Sequence, residues 1–122
     1  MKLDLKKAFD CVDWDFLRLI LHAVGFGERF ITWTLSCVTS ANIAVLINGE
    51  PSTFFRSKRG LRQGCPLSPY LFLMIMEALS ILLTKSFTEH KISGIKVSNL
   101  IKIVHLMFVD DVLLLSKADP EE

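Results

Sequence analysis

Two adjacent carboxylates, Asp110 and Asp111, interrupt an apolar stretch in the segment Phe108-Val109-Asp110-Asp111. Before them runs Leu100-Ile101-Lys102-Ile103-Val104-His105-Leu106-Met107, and after them Val112-Leu113-Leu114-Leu115. Both flanks are rich in residues that suit buried strands. The pair therefore reads as the tip of a β-hairpin whose arms lie in the core. Charge that close to a core is costly unless something compensates it. A bound metal ion is one compensation. A plain turn is the other explanation, because Asp tolerates the backbone of a tight hairpin.

Two further segments bear on the choice. In Lys2-Leu3-Asp4-Leu5-Lys6-Lys7-Ala8-Phe9-Asp10 the opening residues alternate. Leu3 and Leu5 fall on one face of a strand, Lys2, Asp4 and Lys6 on the other. That is a short half-buried strand carrying one carboxylate, and a solvated face of mixed charge would look the same. In Arg59-Gly60-Leu61-Arg62-Gln63-Gly64-Cys65-Pro66-Leu67-Ser68-Pro69 two glycines and two prolines mark a shaped loop. Ser68 suits a helix N-cap, and Pro69 suits the first helical position, where its missing N–H has no partner to lose. Nothing in loop chemistry alone demands Gln63 between Arg62 and Gly64.

Taken in this order, the three segments resemble the palm of a reverse transcriptase, with the nearest likeness to non-LTR (LINE-type) retrotransposon enzymes. Residues 2–10 are similar to the family's first catalytic motif, residues 60–69 to its template- and nucleotide-contacting motif, and Phe108-Val109-Asp110-Asp111 to its metal-binding hairpin. Val109 stands where LINE-type enzymes more often carry Ala. The resemblance covers nearly the whole chain. It implies an α+β fold: a palm-like antiparallel sheet packed by helices, with fingers and thumb largely missing from residues 1–122.

The resemblance also implies a chemistry. A primer 3′-hydroxyl attacks the α-phosphate of a deoxynucleoside triphosphate, and pyrophosphate leaves. Two divalent ions about 3.5–4 Å apart stabilise the attacking and leaving oxygens. Mg²⁺ suits an oxygen-rich site, with Mn²⁺ as a substitute. By the resemblance Asp4 and Asp110 bridge the ions, Asp111 supports them, and the Leu5 carbonyl adds an oxygen. Two carboxylates about 4 Å apart repel by roughly 4 kcal/mol at an effective dielectric near 20, which is a reason to expect a cation between them. The ring of Phe9 would lie under the incoming sugar and exclude a 2′-hydroxyl. On the residues alone, Phe9 reads as core. The amides of Ala8 and Phe9 would face the triphosphate, and Gln63 and Gly64 would contact nucleotide and template. Lys58, Arg59 and Arg62 are candidates for phosphate contacts, or form a solvated cationic loop. The implied partners are an RNA template, a DNA primer, deoxynucleoside triphosphates and the fingers and thumb of a longer polyprotein. Two other readings stay open. One is a catalytically inactive retrotransposon remnant or interaction module that keeps its acids by descent. The other is an intron-encoded maturase-type polymerase.

The elements that must position these residues follow from caps and periodicity. Asp13 can cap a helix over Trp14–Val24, with Asp15 in its first turn and Phe16, Leu17, Ile20, Leu21 and Val24 at helical spacing. Gly25 and Gly27 interrupt it. Glu28–Cys37 reads as a second helix, with Phe30, Ile31, Trp33, Thr34 and Val38 as its core side. Ile43–Ile47 and Thr53–Arg56 read as strands joined at Asn48-Gly49, the dipeptide that a type I′ turn requires. Ser68–Thr88 reads as a helix apolar almost all round, hence buried between layers, with Glu77 facing solvent or paired. Ile95–Val97 reads as a short strand.

The chain has 122 residues, enough for one domain. Hydrophobic residues make up 51%, and with a mean hydropathy of +0.42 this points to surface meant for covering. The net charge of +1 would not by itself suggest nucleic acid. Three cysteines without metal spacing suit a reducing compartment, and Asp4 leaves no secretory signal core, so an intracellular site in cytoplasm or nucleus is expected. The stretch Tyr70–Leu83 contains Glu77 and reads as too short to span a membrane. His22, His90 and His105 show no zinc-enzyme spacing, and no phosphate loop or serine-nucleophile elbow appears.

Overall fold

The computed structural model describes residues 1–98 and 101–116, so Leu100 of the apolar run lies outside them. The chain begins with strand β1 (Lys2–Asp4) and a 3-10 turn (Phe9–Cys11), followed by helices α1 (Trp14–Val24) and α2 (Glu28–Thr39). Strands β2 (Asn42–Ile43), β3 (Leu46–Ile47), β4 (Glu50–Pro51) and β5 (Phe55–Arg56) come next. The long helix α3 (Ser68–Thr88) precedes β6 (Ile95–Lys96), β7 (Lys102–Ile103), β8 (His105–Phe108) and β9 (Asp111–Leu114). Helices and small antiparallel sheets occupy separate stretches, an α+β arrangement. Lys7–Phe72 forms one compact unit, and Met1–Lys6 with the described residues from Leu73 onward forms another.

In the first unit the helix signals act as written. The Asp13 carboxylate accepts from the Phe16 amide at 2.8 Å, and Gly25 closes α1 in the left-handed conformation at φ 97°. Leu17, Ile20 and Leu21 of α1 and Ile31, Thr34 and Leu35 of α2 are buried, and the two helices pack together. The aromatic side expected for α2 is corrected: Phe30 and Trp33 are exposed, and Leu35 takes the core place. The Arg29 guanidinium lies 5.3 Å from the Trp33 ring centroid, so that ring meets charge rather than hydrocarbon. The expected hairpin forms about Asn48 (φ 51°) and Gly49 (φ 88°), but its ladder breaks in two. Between the β2–β5 and β3–β4 pairings the Ser52 amide donates to the Val45 carbonyl, and the Ser52 hydroxyl accepts from the Val45 amide. A side chain thus substitutes for one ladder bond.

Ser68 is the first residue of α3 rather than the residue before it, and its hydroxyl donates to the Arg62 carbonyl at 2.7 Å instead of capping the helix. The helix is not buried all round as expected. Leu71, Phe72 and Met76 are buried, whereas Tyr70, Leu73, Ile81 and Leu82 are exposed, as is Glu77. At 21 residues α3, which extends beyond Tyr70–Leu83, is long and apolar enough to cross a membrane by length and composition alone, a test that many core helices also pass. Beyond Leu83 the Thr84 and Ser86 hydroxyls donate back to the carbonyls of Ser80 and Leu82.

In the second unit β1, β9 and β8 form a three-stranded antiparallel sheet in that order. The register pairs Leu3 with Val112 and Val112 with Met107; it also pairs Asp4 with Asp111 and Asp111 with Phe108. Side chains paired in this way share a face. Leu3, Val112 and Met107 therefore point one way, and Val112 among them is fully buried. Lys2, Asp4, Asp111, Leu113, Leu106 and Phe108 point the other way, onto an open face where Phe108 is 80% exposed. The expectation that both hairpin arms lie in the core is corrected: each arm, β8 and β9, has one more covered and one more open face. The Ser80 hydroxyl of α3 meets His105 Nε2 of β8 at 2.9 Å.

Candidate active site

Asp4 closes β1, and Asp111 opens β9 directly opposite it. The ladder brings together two carboxylates from opposite ends of the chain, with Phe108 completing the row across β8. Asp110 sits in the two-residue turn between Phe108 and Asp111, and its carbonyl accepts from the Leu5 amide at 3.3 Å. Leu5 is thus tied to the turn through its amide. Asp4, Asp110 and Asp111 thus lie at one end of one sheet. Asp4 and Asp110 are exposed and Asp111 is half-buried.

Lys2 was not assigned a role from sequence, though it alternates with Asp4 and so shares its face. Its Nζ lies 3.1 Å from Asp111 Oδ1. The hydrogen bond to Asp111, and behind it the charges of Asp111, Asp4 and Asp110, hold the ammonium above the ordinary lysine value. Among the described residues no three Asp, Glu, His or Cys side chains are gathered closely enough to hold an ion by themselves. The donor set nonetheless fits a hard divalent cation in kind. It is all oxygen, lies on an open face, and leaves room for the water and phosphate that Mg²⁺ keeps in its shell.

Val109 carries the turn with φ 54°, a conformation that a β-branched residue rarely adopts. A positive φ at the first central position alone is the pattern of a type II′ turn, which favours glycine there. Val109→Gly is expected to stabilise the chain by about 1 kcal/mol, the strain relieved less the added freedom of glycine in the unfolded state. The urea midpoint should rise; a fall would mean that packing of the Val109 side chain outweighs the backbone.

The remaining candidates lie in the first unit. Phe9 begins the 3-10 turn with Ala8 as its cap, and its half-buried ring stacks on Phe72 at 4.4 Å between centroids and 18° between planes. The loop that follows β5 is laced onto this turn. The Leu61 amide donates to the Phe9 carbonyl, the Gly60 amide to the Val12 carbonyl, each at 2.7 Å, and Trp14 Nε1 to the Gly60 carbonyl at 2.8 Å. Gly60 has φ 95°, and a Cβ there would lie 2.8 Å from the Asp10 carbonyl oxygen. The loop can lie this close only because residue 60 has no side chain.

Beyond Gly60 the chain reaches Gln63, whose Nε2 donates to Asp10 Oδ1 at 3.3 Å. Asp10 and Trp14 were not picked out by sequence reasoning; Asp10 stood within the first segment but had no partner to suggest a role. A cleft of about 680 Å³ opens here, lined by Asp10, Asn42, Ser57, Arg59, Arg62 and Gln63 together with apolar residues of α2 and β2. Arg59 and Arg62 border the cleft, while exposed Lys58 does not. Gly64 follows at φ 80°. Hydrogen bonding to the Leu67 amide holds the Cys65 thiol below its usual range.

The family model described as reverse transcriptase (RNA-dependent DNA polymerase) matches residues 1–122. The chain is 33% identical over 117 residues to an uncharacterized 149 kDa protein of transposon TX1 from Xenopus laevis, covering 96% of this chain and 9% of that protein. It is 30% identical over 119 residues to the retrovirus-related Pol polyprotein from type-1 retrotransposable element R2 of Popillia japonica, covering 98% and 19%. An uncharacterized mitochondrial protein of Arabidopsis thaliana is 48% identical over 67 residues, which are 54% of this chain and 55% of that one. The chain thus spans only a small part of the two retroelement proteins.

Proposed function

This chain belongs to the reverse transcriptase (RNA-dependent DNA polymerase) family, and on that premise we propose that it is the palm segment, over residues 1–122, of a non-LTR retrotransposon polymerase that copies RNA into DNA. The observation that carries this reading is the register of β1 on β9, which sets Asp4 against Asp111 beside the Asp110 turn. The three-stranded sheet is then the palm sheet, and its open face is the side that receives primer end and nucleotide. Asp4 and Asp110 hold the divalent ions, Asp111 supports them, and Lys2 neutralises Asp111 while no ion is bound. When bound, a pair of Mg²⁺ ions supplies charge stabilisation for the attacking and leaving oxygens. Ala8, Phe9, Gln63 and Gly64 bind the nucleotide; Arg59 and Arg62 at the cleft, with Lys58 beside them, meet phosphates of the template. Fingers and thumb would come from the longer polyprotein.

The test is a chimera in which this segment replaces its counterpart in the complete R2 polyprotein of Popillia japonica. Deoxynucleotides should be added to a DNA primer on an RNA template with Mg²⁺, and not with the ion chelated; Mn²⁺ should restore addition. A folded chimera that binds template and primer yet adds nothing would favour an inactive remnant. One observation favours that second reading: the Arabidopsis relative is itself short, since 67 matched residues are 55% of it.

Sugar selection gives a separate test. With Phe72 stacked beneath it, the Phe9 ring is held in place rather than free to yield. In the chimera, Phe9→Val should raise incorporation of ribonucleotides relative to deoxynucleotides by about tenfold or more, the scale set by one or two carbons in a pocket. If Phe9 serves only packing, the ratio stays unchanged and stability falls by about 1–3 kcal/mol, scaled down from the Phe→Ala penalty.

A further inference from the structure

The contact between Asp10 and Gln63 has no part in the roles assigned so far. Both side chains are exposed at the rim of the 680 Å³ cleft, where a single hydrogen bond adds little to folding. The backbone beneath them, however, is fixed on both sides. Asp10 is locked under Gly60 by a contact that excludes even a Cβ, and Gln63 follows Leu61, whose amide is bound to Phe9. The Arg62 carbonyl is pinned by the Ser68 hydroxyl. Main chain this constrained is more than a surface hydrogen bond needs, and it suits the holding of one side-chain orientation.

We propose that Asp10 is a positioning residue that acts through Gln63. A carboxylate only accepts hydrogen bonds, so it can hold only the amide nitrogen of Gln63. The Gln63 carbonyl oxygen and the second N–H of its amide are then left to meet a ligand, and the partner of that oxygen must carry a donor: a sugar hydroxyl or an exocyclic amino group of a nucleotide. Without Asp10 the amide is free to turn over and to present nitrogen where oxygen is needed. This rests on the polymerase reading above, and it assigns Asp10 to nucleotide recognition rather than to the chemical step.

The test uses the R2 chimera and single-nucleotide addition. Asp10→Ala should raise KM for the deoxynucleotide by about five- to tenfold, the worth of one oriented hydrogen bond, with kcat nearly unchanged. Asp10→Asn, which keeps an acceptor oxygen at the same reach, should restore KM. Gln63→Ala should show the same rise, and the double variant no more than either single one. Additive effects, or equal losses in Asp10→Ala and Asp10→Asn, would overturn the proposal. So would a fall in kcat matched by a fall in thermal stability. A readout independent of activity separates this proposal from the polymerase reading. In the 122-residue chain, the Gln63 side-chain amide proton resonances should move in Asp10→Ala and stay in Asp10→Asn. Unmoved resonances in Asp10→Ala would end the proposal even if the chimera polymerises; moved ones in an inactive chimera would leave the pairing and end the polymerase role.

Discussion

Asp110→Asn or Asp4→Asn in the R2 chimera abolishes primer extension, with a loss on the order of a thousandfold or more. The estimate follows from charge. Each substitution removes one of the few anionic oxygens that would hold the ions, and about 4 kcal/mol of lost transition-state stabilisation is already a thousandfold in rate. Asp111→Asn should cost less, about ten- to a hundredfold, because a supporting group tunes ligands rather than supplying them. Folding should be little affected. Asp4 and Asp110 are exposed, and substitutions at such positions usually stay within about 0.5 kcal/mol. Thermal melting measured beside the rate keeps the two effects apart. Asp4→Asn with near-normal extension would remove the carboxylate row from the mechanism, and with it the reading of the open sheet face.

Gly60→Ala is expected to be the most disruptive small substitution in the first unit. The added Cβ would sit 2.8 Å from the Asp10 carbonyl oxygen and 3.0 Å from its Cα. Both are backbone atoms within the 3-10 turn and have no rotamer to swing into. The residue would also have to hold φ 95°, which alanine resists. Relief requires the loop to lift, breaking the bonds of Gly60 to Val12 and of Trp14 to Gly60. A loss of about 2–4 kcal/mol follows. Gly64→Ala is the control. It also needs positive φ, but its Cβ would meet open space, so about 1 kcal/mol is expected. Urea unfolding of the two variants side by side decides the matter. Equal midpoints would mean that the close approach of Gly60 to Asp10 does not hold in solution.

Signals carried by neighbouring residues could be read from the sequence. Asp13 and Gly25 bound α1 as expected, because a cap and a left-handed stop are local chemistry. Asn48-Gly49 gave the turn for the same reason. The row of Asp4 and Asp111 was reachable only through likeness to a family, since nothing local joins the two ends of a chain. The side of each element that is covered could not be read. Phe108, Trp33 and Leu82 are apolar yet exposed, and hydropathy names a residue's preference, not its neighbours. The pairing of Gln63 with Asp10 was hidden for a related reason. It depends on the loop after β5 passing over the turn, which the bare side chain at residue 60 permits but does not announce.

The arrangement of the two units also bears on synthesis. Lys7–Phe72 is one uninterrupted stretch, whereas the carboxylate sheet needs both β1 and β9. The Leu114 amide donates to the Met1 carbonyl at 2.8 Å, across a separation of 113 residues. On a ribosome, residues 7–72 can condense as soon as they emerge, while β1 waits without a partner until Asp111–Leu114 has been made. Closing so long a loop from an unstructured chain is slow. A stretch already folded within it shortens the loop that remains. The turn and loop proposed to contact the nucleotide would therefore form early in the nascent chain, and the acids proposed to hold the ions would come together last. A ribosome stalled before β9 would carry residues 7–72 without the row that sets Asp4 against Asp111.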